Sequence, residues 1–316
     1  MRRGPSAMNA LIAIDKPLGL TSHDVVNRVR RAVGEKRVGH AGTLDPAASG
    51  VLVVGIGQAT KLLGLLTLDR KGYSARIEFG AQTDTDDAEG EVIATAPVPE
   101  ELYDLDFAAG AVTRLVGEFD QMPPAYSAIS VNGKRAYALA REGKEVTLDA
   151  RRVTVYDAAL RSLDATDEKC VWTCDFDVSK GTYVRSLARD LGLSLGTCAH
   201  LVGLRRTFAG SVRLADSLNL EDLLEKGPEL VAERCLDPVF SLGLAVREVG
   251  IHEVVDISCG RAIAAGEVMH DGVRREPRPN ERVCLVFDGG LVGIWRRRAD
   301  ELVCDTNFPQ AIEGVR

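Results

Sequence analysis

The sequence predicts an α+β protein with a mixed or antiparallel sheet, followed by a small, mostly β domain. Its 316 residues, of which 45% are hydrophobic and 27% are charged, have the composition of a globular protein with a sizeable core. Up to about residue 245, strand-like and helix-like segments follow one another without a regular βαβ repeat, which favours a mixed sheet. Beyond that point, short strands separated by turns predict a second domain. We therefore expect domains at 8–245 and 246–316.

The first part of the chain predicts two strands and an intervening helix. Its predicted segments are a strand at 11–14, a helix at 22–33, a loop at 38–50, a strand at 51–57 and a short helix at 59–68. Thr21 or Ser22 can cap the first helix, and Gly34 ends it. The loop is rich in small residues, whereas the strand after it is an apolar run bounded by glycines, as expected of a buried strand.

The rest of the first domain predicts further strands and helices and one basic insertion. These segments are a strand at 73–80, an acidic turn at 83–91, a helical stretch at 97–117, an insertion at 121–152, a strand at 170–181, a helix at 182–196 and a strand at 200–212. Thr182 can cap the last helix. In the C-terminal domain, we expect two strands around the turn at 288–290.

Charge and cysteine content narrow the class of protein. The net charge of −7 excludes a uniformly basic nucleic-acid binder, so any surface that binds phosphates must be local. The seven cysteines include no C-x-x-C pair, which favours reduced thiols over disulfides or a zinc site. The sequence shows no targeting segment and no apolar run of roughly 18 residues. We expect a cytoplasmic protein without membrane association.

The strongest candidate for chemistry is the loop GHAGTLDP, which runs from Gly39 to Pro46. Its two glycines allow the backbone to approach a ligand closely, and Pro46 keeps Asp45 out of the helical conformation. The result is a carboxylate on a loop between a basic helix and a buried strand. The alternative is a turn in which Asp45 only caps a backbone N–H group.

Three other segments are weaker candidates. Residues 179–187 join a strand to a helix and present Tyr183 and Arg185 at its first turn, although the tyrosine could simply pack in a core. Tyr73 opens a strand after a basic pair, and a core position is again the alternative. The segment LVGLRR at 201–206 is an apolar strand that ends in two arginines.

The acidic turn has some features of a metal-binding loop. Its acidic side chains are those of Asp84, Asp86, Asp87 and Glu89. Their spacing departs from that of a calcium-binding hand, because Asp87 comes one place early and the glycine is displaced by one. Capped turns and ion pairs with a basic neighbour are therefore favoured, and we expect no metal.

The order of the motifs is more specific than any one motif. Between about residues 11 and 210 the chain contains DKPLGLTSHDVV, GHAGTLDPAASGVLVVGIGQATK, KGYSARIEFGAQTDTDDAEGEV, PPAYSAISVNGKRAYALAREG, SKGTYVRSLARDLG and HLVGLRR. In this order they closely resemble the TruB family, the bacterial tRNA pseudouridine-55 synthases. The C-terminal segment resembles a small PUA-type RNA-binding domain, mainly through FDGGLVGIWR.

The resemblance implies a pseudouridine synthase catalytic domain that isomerises the T-loop uridine of tRNA, at position 55, without a metal or organic cofactor. It makes Asp45 the catalytic aspartate, which acts after the base has been flipped out. It also implies a set of substrate-binding residues. They are His40 where the base left the stack, Tyr73 on the flipped base, Tyr183 and Leu204 in the pocket, and Arg185 beside the catalytic carboxylate.

Binding of the T-arm requires a basic surface despite the acidic net charge. The expected phosphate contacts are Arg28, Arg31, Arg37, Lys134, Arg141, Arg205 and Arg206. The insertion at 121–152, with its Pro-Pro hinge and basic helix, is expected to be a mobile segment that clamps the RNA. We expect a monomer that works without a guide RNA and selects its substrate mostly by RNA shape.

The alternative from another class is a non-catalytic tRNA binder or RNA-folding chaperone on the same scaffold. The intact set of Asp45, Tyr73, Tyr183 and Arg185 argues against it. A guide-RNA-dependent enzyme of the related archaeal and eukaryotic type is disfavoured by the short N-terminus, the insertion and the lack of basic tails. A hydrolase that uses the acidic turn as a metal site is a remote alternative.

Overall fold

The structure is a computed structural model that describes residues 6–66, 69–127, 129–131, 133–136, 139, 142, 148–166 and 169–316. These residues form two compact units. The first unit contains the described residues of Met1–Pro46, Gly50–Leu68 and Ala209–Arg316, and the second contains those of Ala47–Ser49 and Asp69–Phe208. None of the helices in the described residues is long and apolar enough to cross a membrane.

The described strands are numbered in chain order. They are β1 (Ala10–Lys16), β2 (Val38–Ala41), β3 (Ala48–Ile56), β4 (Arg70–Phe79), β5 (Ala81–Thr83), β6 (Val92–Thr95), β7 (Gly117–Gln121), β8 (Ser130–Val131), β9 (Lys134–Arg135), β10 (Arg151–Ala165), β11 (Cys170–Ser179), β12 (Ala199–Ala209), β13 (Val212–Arg213), β14 (Ser217–Asn219), β15 (Ala245–Glu248), β16 (Ile263–Ala264), β17 (Val268–His270), β18 (Val273–Arg275), β19 (Arg282–Phe287), β20 (Gly290–Arg298) and β21 (Glu301–Ile312).

The described α-helices are fewer than the strands. They are α1 (Ser22–Val33), α2 (Leu105–Thr113), α3 (Val184–Ser194), α4 (Leu220–Lys226), α5 (Pro228–Arg234), α6 (Pro238–Leu242) and α7 (Ile251–Ser258). Single turns of 3₁₀-helix are formed by Gly57–Lys61, Glu100–Tyr103 and Leu214–Asp216.

In the first unit, β1 lies between β3, its antiparallel partner, and β14, which runs parallel to it. Both β1 and β3 are buried on both faces, because apolar side chains cover each side. One face packs against the valines of α1, with Ile12 and Leu52 in that cluster. The opposite face, with Leu11 and Val53, packs against Val212 and its neighbours. The mixed strand directions confirm the predicted mixed sheet.

The C-terminal part of the first unit forms a separate seven-stranded sheet in the order β16-β21-β20-β19-β15-β17-β18. Trp295 is fully buried in its core, and its indole N–H donates to Asn307 Oδ1 at 2.7 Å. The turn between β19 and β20 places Asp288 and Gly289 at φ values of 48° and 69°, as a two-residue hairpin turn requires. The predicted strand pair around this turn is confirmed.

The second unit contains strands in the order β12-β4-β11-β10-β7. The β4–β11 pair is antiparallel and places Tyr73 opposite Phe176. The apolar side of β4 is buried, including Tyr73 and Ile77, which confirms the predicted alternation. At Gly72, a Cβ atom would lie 2.1 Å from the ring of Phe208, so only glycine allows β12 to approach this closely.

The structure corrects three predicted elements. Within 38–50, β2 and the start of β3 replace most of the loop, because the small residues pair as antiparallel strands, with Val38 opposite Ile56. The helix predicted at 59–68 is a 3₁₀ turn at Gly57–Lys61, followed by non-helical turns as far as residue 66. The cap of α3 is Tyr183 rather than Thr182, and its side chain makes no capping hydrogen bond.

Candidate active site

The loop that carries Asp45 joins β2 to β3 in the first unit. Its anchor on the N-terminal side is Leu44, which is buried. The hydroxyl of Ser22, the first residue of α1, donates to the Leu44 carbonyl at 3.0 Å and accepts the Leu44 N–H at 2.9 Å. Thr21 caps the same helix in a reciprocal pair with Asp24. The start of α1 therefore fixes the backbone of the residue before Asp45.

The residue after Asp45 is fixed by the turn that follows β1. The Pro46 carbonyl accepts the Gly19 N–H at 2.9 Å and lies 3.5 Å from Lys16 Nζ. Lys16 is fully buried and also donates to the carbonyls of Pro17 and Leu20, at 2.9 and 2.6 Å. Burial of an ammonium group is tolerated when its protons are hydrogen-bonded. Hydrogen bonds therefore fix the backbone at the residues before and after Asp45. Asp45 itself is half-buried.

His40 lies in the same unit, on β2. It stands opposite Val54 in the β2–β3 register and is half-buried. Gly42 follows at a φ of 70°, a left-handed conformation that turns the chain from β2 into the Asp45 loop. His40 and Asp45, the two candidates of the GHAGTLDP motif, therefore lie on β2 and on the loop that directly follows it.

In the second unit, Arg185 is the buried centre of a polar cluster. It lies in the first turn of α3 with 6% exposure. Its Nη1 is 3.4 Å from Asp87 Oδ2 and donates to the Thr85 carbonyl at 2.9 Å. Its Nη2 donates to the Tyr126 carbonyl at 3.0 Å. One guanidinium thus joins the acidic turn to the segment after β7.

The acidic turn is stabilised by its own side chains and by two arginines. Asp87 Oδ1 accepts from the hydroxyl of Thr85 and from the N–H of Glu89, at 2.6 and 3.1 Å. Asp86 pairs with Arg189 at 2.8 Å. Burial raises the pKa of Asp86, and the nearby arginines oppose that shift. The predicted capped turns and ion pairs are confirmed.

The geometry of the acidic turn does not support a metal-binding site. The described residues contain no group of three or more His, Cys, Asp or Glu side chains that could hold a metal ion. The two buried carboxylates of the turn face arginines instead.

Tyr183 is positioned by Gln121, a buried residue at the end of β7. The Tyr183 N–H donates to Gln121 Oε1 at 2.8 Å, and Gln121 Nε2 donates back to the Tyr183 carbonyl at 3.1 Å. Ser186 Oγ and Arg189 Nη2 both donate to the Met122 carbonyl, at 2.9 and 3.0 Å. The start of the insertion therefore docks on the first turns of α3.

Tyr73 and Leu204 lie on strands of the second unit. Tyr73 is on β4 with 8% exposure, and Leu204 is half-buried on β12. The second unit therefore contains four candidates, Tyr73, Tyr183, Arg185 and Leu204, while Asp45 and His40 belong to the first.

The sequence did not predict three contacts that hold these candidates in place. The sequence predicts only a capping role for Ser22, and its local pattern does not indicate a bond to Leu44. Gln121 and Asp87 contact residues about 60 to 100 positions away in the chain, as the Gln121–Tyr183 and Arg185–Asp87 contacts show.

The predicted phosphate contacts differ in exposure. Arg31 is exposed on α1, Arg37 is half-buried, and Arg28 is 34% exposed and 3.8 Å from Glu221. Arg205 donates to Ser49 Oγ at 3.2 Å. Arg206 is only 1% exposed, so it does not belong to a surface and is removed from the phosphate contacts. Arg141 and the side chain of Lys134 lie outside the described residues, as does much of the insertion.

Family models and individual relatives of known name point to the same protein family. The family described as TruB family pseudouridylate synthase (N terminal domain) matches residues 30–184. The tRNA pseudouridylate synthase B C-terminal domain matches residues 185–241. A protein of Mycobacterium sp. (strain KMS) named tRNA pseudouridine synthase B is 44% identical over 287 residues, which are 91% of this chain and 94% of that protein. The protein of the same name from Mycobacteroides abscessus is 45% identical over 90% of this chain and 94% of its own length.

Solved structures support the fold. An H/ACA RNP bound to a substrate RNA containing 2′-deoxyuridine matches with a TM-score of 0.67 at 22% identity, over 95% of this chain and 84% of that chain. An archaeal box H/ACA sRNP complex matches with a TM-score of 0.65 at 22% identity, over 94% and 85%. At this identity the likeness concerns the fold alone. With the curated relatives and both matched family domains, it leads to one conclusion: the chain belongs to the TruB family of pseudouridylate synthases.

Proposed function

We propose that this protein isomerises uridine to pseudouridine in tRNA. The observation that carries this function is the 44% identity to tRNA pseudouridine synthase B over 91% of the chain. The finer assignment, the T-loop uridine at position 55, follows from the order of the sequence motifs.

The reaction conserves atoms. The bond between uracil N1 and the sugar C1′ breaks, a bond between C5 and C1′ forms, C5 loses its proton and N1 gains one. We propose that Asp45 is the catalytic carboxylate, because its loop is held on both sides by Ser22, Gly19 and Lys16. Attack at C1′, attack at C6 and the glycal route each need one positioned carboxylate.

The other site residues are proposed to bind the extruded nucleotide. Tyr73 contacts the flipped base, His40 meets the RNA where the base left the stack, and Tyr183 and Leu204 line the pocket. Arg185 is the cation that keeps the catalytic carboxylate ionised, since desolvation alone would favour its protonated form. The contacts with Thr85, Asp87 and Tyr126 support this role, because they fix the guanidinium in one orientation.

The wider assignment follows from the same family. Arg28, Arg31, Arg37 and Arg205, with Lys134 and Arg141, are proposed to contact phosphates of the T-arm. The segment 121–152 is proposed as the clamp of a catalytic domain at 8–245, and 246–316 as a PUA-like RNA-binding domain. We propose a monomer that needs no guide RNA. The seven free thiols support a cytoplasmic location.

Position mapping tests this function. An unmodified tRNA transcript is incubated with the protein, and pseudouridine is located by carbodiimide labelling and primer extension. A transcript with cytidine at position 55 is the matched control. The proposal predicts one stop, which marks pseudouridine at position 55, in the first transcript only. Pseudouridine at another position would keep the activity and refute the assigned site, and its absence from both would refute the activity.

A further inference from the structure

Lys71 lies beside the residue proposed to contact the flipped base. It is the second residue of β4, and Tyr73 is the fourth. Because side chains alternate along a strand, the two lie on the same face, about 6.6 Å apart along the strand axis. The antiparallel register with β11 and the close packing of Phe208 on Gly72 fix β4 at this point. Lys71 therefore has a defined place next to Tyr73.

Two other cations at this end of the sheet have carboxylate partners. Arg70 pairs with Asp177 on the neighbouring strand. Lys180 Nζ lies 2.7 Å from Asp69. Within the part of the chain that the structure describes, the ammonium group of Lys71 has no carboxylate within ion-pair distance and donates no hydrogen bond.

The surroundings of Lys71 are unfavourable for an uncompensated cation. The residue is half-buried, and burial lowers the pKa of its ammonium group to about 8. The positive charge of Arg206 lowers the pKa further, and the opposing effect of Asp69 is smaller than that of Arg206 but larger than that of Lys180, which also lowers it. A cation kept in such a place is stabilised when an anion from outside the chain binds to it.

We propose that Lys71 binds a backbone phosphate of the RNA next to the nucleotide whose base contacts Tyr73. This inference rests on the proposed function. Phosphate is the anion that an RNA supplies at this distance from a base, and an ammonium group binds it as a point charge. The contact exists in the bound state before any bond is broken. Lys71 therefore contributes to affinity and to the position of the nucleotide, and not to the chemical step.

The test compares three variants with the wild-type protein. Lys71→Met removes the charge, Lys71→Arg keeps it, and Lys169→Met is the matched control. Lys169 pairs with Glu78 at the far end of the same strand, at 3.1 Å. For each protein, kcat and KM are measured on unmodified tRNA, and Kd is measured over a range of KCl concentrations.

We expect Lys71→Met to raise Kd and KM about tenfold with kcat unchanged. The slope of log Kd against log salt should fall by about 0.7 to 0.9, the value of one phosphate contact. Lys71→Arg and Lys169→Met should keep the wild-type slope. If Lys71→Met does not fold to a wild-type melting profile, Lys71→Gln takes its place.

Two results would overturn the inference. One is a fall in kcat with KM and salt slope unchanged, which would place Lys71 in the chemical step. The other is wild-type behaviour of Lys71→Met. A wild-type protein that binds tRNA but forms no pseudouridine would refute the proposed function instead, and the salt slope would still test Lys71.

Discussion

The hydroxyl of Ser22 and the backbone of Leu44 form a reciprocal pair, in which Ser22 Oγ donates to the carbonyl at 3.0 Å and accepts the N–H at 2.9 Å. Both residues are buried, with 2% and 4% exposure. The pair joins the first residue of α1 to the residue before Asp45. These two hydrogen bonds tie the loop to the start of α1. The position of the Asp45 carboxylate therefore depends on the position of that helix.

Removal of the Ser22 hydroxyl should reduce catalysis more than binding. In Ser22→Ala, two buried backbone groups lose their partner, which we expect to cost about 1–3 kcal/mol of unfolding free energy. Looser positioning of Asp45 should lower kcat about tenfold or more, with KM nearly unchanged. Steady-state kinetics and thermal unfolding check this. Ser258→Ala is the control, because Ser258 is exposed and its hydroxyl contacts the Val255 carbonyl and Cys259 Sγ, in α7 and its cap. Equal kcat values for the two variants would contradict the positioning role.

Loss of the Asp87 charge should act through Arg185. The variant Asp87→Asn keeps the size of the side chain but removes the ion pair with a buried guanidinium. Because Arg185 retains its two carbonyl acceptors, we expect about 1–3 kcal/mol of destabilisation and a fall in kcat of at least tenfold.

Asp86→Asn is the matched control for that variant. Asp86 is the adjacent buried carboxylate, pairs with Arg189 and has a φ of 60°, which asparagine tolerates well. We expect its kcat to stay close to wild type. A larger fall in kcat for Asp86→Asn than for Asp87→Asn would show that the turn as a whole, and not the Arg185 contact, matters.

Gly72 should not tolerate a side chain. In Gly72→Ala the new methyl group would meet the Phe208 ring and Thr207 Oγ1, so β4 and β12 must separate. We expect about 1–3 kcal/mol of destabilisation together with reduced activity, because Tyr73 is the next residue. Chemical unfolding measures the first effect. The double variant Gly72→Ala, Phe208→Ala should recover part of the stability lost in Gly72→Ala, relative to Phe208→Ala alone. No recovery would mean that the clash is not the cause.

The C-terminal sheet should lose stability in acid through Glu281. Hydrogen bonds from Arg275 lower the pKa of Glu281 from 4.5 to about 2. A depressed carboxyl pKa stabilises the fold above the unfolded value, and that contribution is lost as the pH falls from 4.5 towards 2. Since Glu281 and Arg275 are 18% and 23% exposed, screening reduces the contribution to about 1–2 kcal/mol.

Unfolding of Glu281→Gln as a function of pH checks this expectation. The variant should be less stable than wild type at pH 7 and equally stable near pH 2. Glu267→Gln is the control, because Glu267 is exposed and lies 3.8 Å from Arg274. A constant difference between wild type and Glu281→Gln across this pH range would contradict the assignment.

The sequence predicted the elements that depend on local signals. Helix α1 has a capping residue, a valine stripe and a terminal glycine, and its bounds are as expected. Strand β2 was missed because its four residues are small and acquire strand structure only by pairing with β3. Ion pairs of the acidic turn were expected, but the partners of Asp87 and Gln121 were not, since they lie far along the chain and are brought close only by the fold. The order of the motifs predicted the family. The local pattern alone did not decide whether Asp45 is a catalytic carboxylate or only caps a backbone N–H group.

The central claim is that this protein converts tRNA uridine to pseudouridine through Asp45. The most direct test is tritium release from an unmodified tRNA transcript labelled at uridine C5, with wild type beside Asp45→Asn. We predict release by the wild type and none by the variant, while both bind the transcript with similar Kd. Release by both would remove Asp45 from its role, and tRNA binding without release by the wild type would contradict the isomerase itself.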